Sequence, residues 1–166
     1  MATIDNLKEA FAGESQANRK YTAFAKKAEQ EGFPKVARLF RAAAEAETVH
    51  AHAHLRVMGG IKSTKENLIA AIEGESHEFK QMYPMFVEEA EREGHKAAKI
   101  SFEYALPVEE IHHDLYKEAL ESIEAGRDLE DFEVFVCGVC GNTVKHAPPE
   151  KCPICGVPAA RFFEVK

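Results

Sequence analysis

A glutamate followed three residues later by a histidine stands at the same place in both halves of this chain, in ETVH at 47–50 and EEIH at 109–112. The surrounding sequence repeats too. GES at 13–15 returns at 74–76, and AEQEG at 28–32 returns as AEREG at 90–94. Both halves are rich in Ala, Glu, Lys and Leu, residues that cost little in a helix. They are interrupted only at EGFP (31–34), MGGIKS (58–63) and EREGH (91–95). This punctuation predicts four helices, roughly over 5–31, 35–58, 64–93 and 95–125, which short turns would join into a mainly α, four-helix bundle. Ser63 and Glu66 have the spacing of a capping box at the start of the third helix. The offset between the halves grows from 61 to 62 between residues 76 and 90, so the third helix holds one extra residue. Tyr83-Pro84 lies in that interval, and an insertion beside a helix-interior proline predicts a π-bulge or kink.

Helical spacing gathers acidic side chains on the apolar stripes. On the second helix Val36, Phe40, Ala43, Glu47, His50 and His54 advance by fours and threes, and on the fourth Phe102, Ala105, Glu109, His112 and Tyr116 do the same. The first helix adds Leu7, Ala10, Glu14, Ala17 and Tyr21, and the third adds Leu68, Ile72, Glu75, Glu78 and Met82. Carboxylates clustered away from water repel, and most would have to take up protons. A pair of cations removes that difficulty. Oxygen-rich ligation with one imidazole per ion suits iron or manganese better than zinc. We therefore read Glu14, Glu47, His50, Glu75, Glu109 and His112 as ligands of a dinuclear site. Glu78 is a further candidate without a twin, since Ala17 occupies the matching position in the other half. Tyr21 and Tyr83 are placed to hydrogen-bond ligating carboxylates. His52, His77, His95 and His113 fall off the stripes and are expected to be solvated, and His54, one turn beyond His50, is expected to support the ligands or close the bundle end rather than bind metal.

From residue 126 the texture changes. GRDLED reads as a helix stop and linker, FEVFV as a strand, and CGVCG with CPICG as two metal-binding knuckles. All four cysteines, Cys137, Cys140, Cys152 and Cys155, fall in these knuckles, the pattern of a tetrahedral tetrathiolate site. Zinc and iron both fit that spacing; attachment to a redox-type bundle favours iron. The expected domains are 1–128 for the helical part and 129–166 for the cysteine part. A net charge of −7 argues against nucleic acid as a partner. No apolar run is long enough for a membrane span, and no basic leader opens the chain, so the expected location is cytoplasmic.

The motifs GES, ETVH, GESHEF with KQMYP, EEIH and CGVC…CPIC, in this order, resemble the rubrerythrin family over nearly the whole chain. The resemblance implies a ferritin-like bundle with a non-haem di-iron centre, followed by a rubredoxin-like domain holding one iron on four cysteines. It implies a peroxidase that reduces hydrogen peroxide to water in oxidative-stress defence. Electrons would come from NAD(P)H through upstream redox proteins and pass by way of the cysteine-bound iron. By the same likeness Glu47 and Glu109 would bridge the irons, Glu14 and Glu75 would be terminal ligands, and His112 would hold one iron. Glu78 and His50 would alternate on the other. Pro107 and Val108 depart from the family's pattern just before Glu109, and a proline there removes the helix bond to the carbonyl of Glu103. Two other functions share these motifs: a ferroxidase or oxygen reductase, and a non-catalytic iron-binding protein with a structural zinc ribbon.

If a two-fold axis relates the repeated halves, the third helix runs parallel to the second. The chain would then have to return about 28 Å along the bundle from Met58 to Thr64, while residues 59–63 reach only roughly 20 Å. This shortfall predicts a domain-swapped homodimer.

Overall fold

The computed structural model describes residues 2–166. The chain divides between Lys62 and Ser63 into two compact units. The first is a helical hairpin of α1 (Ala2–Gln30) and α2 (Pro34–Val57). Gly32, at φ 82°, turns the chain after α1, the Phe33 amide reaches back to the carbonyl of Ala28, and Pro34 opens α2 with its preset φ.

The hairpin closes on small residues. Ala37, Ala44 and Ala51 on α2 recur every seven residues and are buried, opposite Asn18, Ala25 and Ala28 on α1. Alanine lets two helix backbones approach closely, and the seven-residue row is the geometry of nearly antiparallel packing. The glutamate stripe read from the sequence runs beside this row rather than in it. Glu47 keeps 19% of its side chain exposed and His50 56%.

Asn18 is the buried polar residue of the hairpin. Its Nδ2 donates to the carbonyl of Ala44 and to Thr48 Oγ1, both at 2.7 Å, and its Oδ1 accepts from Arg19 Nε at 2.8 Å. Thr48 in turn donates to the same Ala44 carbonyl at 3.1 Å. A network satisfied at each of these contacts fixes the axial register of two otherwise slippery alanine faces.

The second unit begins with α3 (Thr64–His77), capped as expected by the reciprocal Ser63–Glu66 pair. A π-helical turn (Glu78–Met82) follows, then α4 (Tyr83–Arg92). The extra residue is absorbed there, because the Tyr83 amide bonds the Glu78 carbonyl five residues back and Pro84 supplies no amide of its own. α5 (Lys96–Glu124) runs on through Pro107 without a break.

Beyond α5, β1 (Val134–Cys137), β2 (Thr143–Lys145) and β3 (Phe162–Val165) form an antiparallel sheet in the order β2-β1-β3. Val136 faces Thr143 in its register. The architecture is mainly α with a small C-terminal sheet, as the sequence indicates. Among the described residues no helix is long and apolar enough to cross a membrane.

Of the histidines expected to be solvated, His95 is exposed and also has a structural role, whereas His113 is not solvated. His95 caps α5, accepting from the Ala98 amide at 3.2 Å. His113 is mostly covered, its ring edge-on to Phe79 at 5.3 Å, because α5 packs closely against the π-helical turn.

Replacing Asn18 with Ala is expected to lower stability by about 1–3 kcal/mol, read as a drop in the urea midpoint. Leucine, which adds apolar bulk but satisfies neither Ala44 nor Thr48, is expected to do no better.

Candidate metal centre

Each unit assembles three ligand-type side chains. In the hairpin, Glu14 on α1 and Glu47 and His50 on α2 bring one donor atom each within 4.8 Å of one another. In the second unit, Glu75 on α3 and Glu109 and His112 on α5 do the same. The two sets share a plan: a glutamate from one helix faces an E-x-x-H from its antiparallel neighbour. The three-residue step puts carboxylate and imidazole on one helix face, and the neighbouring helix supplies the third donor.

The spacings can be compared with those an ion requires. Donors ~2.1 Å from a shared ion in octahedral geometry stand ~3.0 Å apart when adjacent and ~4.2 Å when opposite. His50 Nδ1 lies 3.4 Å from Glu47 and 3.9 Å from Glu14. His112 Nδ1 lies 2.9 Å from Glu109 and 4.0 Å from Glu75. Both sets fall in or near the bracket, and two carboxylates with one imidazole suit iron.

The protonation balance shows the strain these groups place on each other. Glu14 is pushed above the ordinary carboxylate value by its hydrogen bond with Glu47, and Glu47 is pulled below it by the same bond. Burial, then the charge on Glu109, pushes Glu75 up to about 7. Glu78, the first residue of the π-helical turn, lies outside the Glu75–Glu109–His112 set. Burial and then Glu109 raise its carboxyl too. Tyr83 is raised by burial and by the charges of Glu109, Glu78 and Glu75, and it packs against Phe86 and Phe102. Tyr21 packs in a ring cluster with Phe24 and Phe40. Tyr116, on the predicted stripe but not singled out, is raised by burial and then by Glu75 and Glu109.

The cysteines form a third cluster, with none of them in a disulfide. Cys137 and Cys155 sulfurs are 3.7 Å apart and those of Cys140 and Cys152 3.5 Å, against ~3.8 Å for sulfurs on a tetrahedral ion at ~2.3 Å. Burial pushes the Cys152 thiol up, but the amides of Cys155 and Ile154 together with hydrogen bonds from the Cys140 and Cys155 thiols bring it down to about 6. Asn142 is almost wholly buried, and its Nδ2 points at Cys152 Sγ from 3.7 Å. Nothing in the spacing of the motifs singles out that asparagine beyond its place after the first knuckle.

This knuckle rests on α5. A Cβ built on Gly141, at φ 84°, would lie 3.7 Å from Val108 Cγ1. Lys145 reaches Glu118 at 2.7 Å, and Thr143 Oγ1 reaches His112 Nε2 at 2.9 Å.

Comparison with known proteins places these features together. A family model described as rubrerythrin matches residues 5–120, and one described as the rubrerythrin rubredoxin-like domain matches 135–163. Rubrerythrin-2 of Clostridium acetobutylicum is 37% identical, with 96% of this chain and 95% of the relative covered. Nigerythrin of Nitratidesulfovibrio vulgaris is 36% identical, covering 97% of this chain and 85% of its own. A structure of fully reduced, all-ferrous nigerythrin has a TM-score of 0.59 at 36% identity, over 98% of this chain and 86% of that one.

Replacing Cys152 with Ser is expected to remove one metal ion per chain, together with the thiolate-to-metal absorption, while the ions on the helical part are retained. Metal analysis with a visible spectrum checks it.

Proposed function

This chain belongs to the rubrerythrin family, whose members carry a di-iron centre and a tetracysteine iron site, and from that premise we propose that it is a peroxidase reducing hydrogen peroxide to water. Each turnover consumes one peroxide, two electrons and two protons and yields two waters. The residues that would hold the iron pair are Glu14, Glu47, His50, Glu75, Glu109 and His112, with Glu78 as a seventh ligand. Cys137, Cys140, Cys152 and Cys155 would hold the single iron. When bound, the iron pair supplies the electrons that cleave the O–O bond, and the cysteine-held iron supplies their one-electron replacement.

The chain's own residues set the conditions. Glu47 and Glu109 would be shared between the two irons, and Glu14 and Glu75 would each serve one of them. Glu78, which has no counterpart in the hairpin, would supply a further carboxylate to one iron in exchange for His50. Tyr83 lies within electrostatic reach of Glu75, Glu78 and Glu109, and Tyr21 would be its counterpart in the hairpin. Upstream redox proteins drawing on NAD(P)H would reload the cysteine site.

The observation that carries this reading is the seating of the cysteine knuckle on α5, the helix of Glu109 and His112, through Gly141 on Val108 and Lys145 on Glu118. A store for iron, or a ferroxidase, has no use for an electron carrier fastened there.

The assembly we propose is a homodimer in which α1–α2 of one chain pairs with α3–α5 of another. The connection between α2 and α3 is residues 58–63, and its first part is folded back: the amides of Met58, Gly59 and Gly60 bond to His54, Arg56 and Leu55. From Gly60 to Thr64 the chain reaches only about 14 Å, while a return from His50 to the level of Glu75 needs about 27 Å.

Mixing the reduced, iron-loaded protein with peroxide in a stopped-flow instrument is expected to oxidise the di-iron site quickly, and Glu78→Ala to slow that step tenfold or more at unchanged iron content. Slow reaction with peroxide beside fast reaction with oxygen would defeat the assignment. Light scattering is expected to give twice the chain mass; an active, iron-loaded monomer ends the dimer reading.

A further inference from the structure

We propose that Thr143, from the cysteine-bearing segment, is a positioning residue that holds His112 with its proton on Nε2 and its Nδ1 lone pair aimed between Glu75 and Glu109. This rests on the reading of His112 as an iron ligand.

The assignment follows from donor and acceptor counting. A threonine hydroxyl has one proton to give, and that of Thr143 goes to the carbonyl of Gly141 at 3.1 Å, which can only accept. Both contacts of Thr143 Oγ1 are satisfied together only when its hydroxyl donates to that carbonyl and His112 Nε2, at 2.9 Å, donates to the hydroxyl oxygen. A neutral imidazole carries one N–H. With the proton on Nε2, Nδ1 is bare, and it is this atom that lies 2.9 Å from Glu109 Oε2 and 4.0 Å from Glu75 Oε1. The tautomer is thus decided some thirty residues downstream of the ring, by a side chain outside the helices.

Backbone architecture makes Thr143 a firm anchor. It is paired with Val136 across β1–β2, and the preceding Asn142 is buried beneath Cys152. Gly141 lies beside Val108 of α5, where an added Cβ would come into van der Waals contact. Lys145, two residues on, ties the strand to Glu118 on the same helix, one and a half turns beyond His112. The same bonds join the Cys140 knuckle to a ligand of the helical site within one chain: Cys140, Gly141 carbonyl, Thr143 hydroxyl, His112 ring. Among the described residues of the hairpin no threonine is recorded against His50, whose Nδ1 meets Glu47 at 3.4 Å and whose side chain is more than half exposed.

The full-length protein loaded with zinc as a diamagnetic probe tests this. A long-range 1H–15N spectrum of the histidine rings is expected to show His112 protonated at Nε2. Thr143→Val keeps the β-branched shape but removes the hydroxyl; by chelator competition, zinc affinity of the helical site is expected to fall 10–100-fold. The His112 N–H signal should lose its protection from solvent exchange. Thr143→Ser is expected to restore both. A wild type protonated at Nδ1 or coordinated through Nε2 overturns the proposal, even if the valine variant fails to fold. So does a valine variant with unchanged affinity, or equal losses in the valine and serine variants. None of these readouts uses peroxide, so a protein that fails to reduce peroxide defeats the peroxidase reading and leaves this result standing.

Discussion

Mutual repulsion among carboxylates is the constraint around which this molecule is organised. Carboxylates held close together disfavour each other's charge unless something compensates it, and here two units each place two of them beside an imidazole. The consequences are visible in the groups themselves: Glu14 and Glu47 pulled apart in acidity by one shared hydrogen bond, and Glu75 lifted toward neutrality by burial and by Glu109. Cations resolve such a conflict more completely than protons, because each compensates several carboxylates at once. The family's iron pair is that resolution.

Scaffold and site make opposite demands. The hairpin's tight row of alanines, Ala37, Ala44 and Ala51, supplies close packing with no polar atoms, and a single asparagine sets its register. The ligand stripe lies next to this row, so that Glu14 meets Glu47 without the carboxylates having to be buried between helices. In the second unit the same balance is struck by different means. The π-helical turn takes up one residue immediately after the Glu75 turn, which keeps Glu75 opposite Glu109 while bringing a second carboxylate, Glu78, onto the approach.

The cysteine module is more than a neighbour of the helices. Its first knuckle and the strand after it touch α5 at Val108, His112 and Glu118, a span of about three turns. Val108, a departure from the family pattern beside Pro107, is the buried residue of α5 and receives Gly141. The irregular sequence before Glu109 therefore coincides with the seat of the knuckle, and the helix carries Glu109 and His112 past the proline without losing their 2.9 Å contact.

What was legible in the sequence was whatever depends on periodicity and local chemistry. Heptad-like spacing, Gly and Pro punctuation, the capping box, the one-residue insertion that becomes the π-helical turn, and the two cysteine knuckles all act over a few residues. The helices, the ligand-bearing faces and the tetrathiolate cluster follow from them. Tertiary structure alone decided which of the apolar positions touch, putting alanines rather than the glutamate stripe at the α1–α2 contact. It also buried Asn18 and Asn142, covered His113 with Phe79, and set Thr143 against His112. Those outcomes depend on how closely two backbones approach and on which lone pair remains after another bond is made, quantities that no spacing along the chain contains.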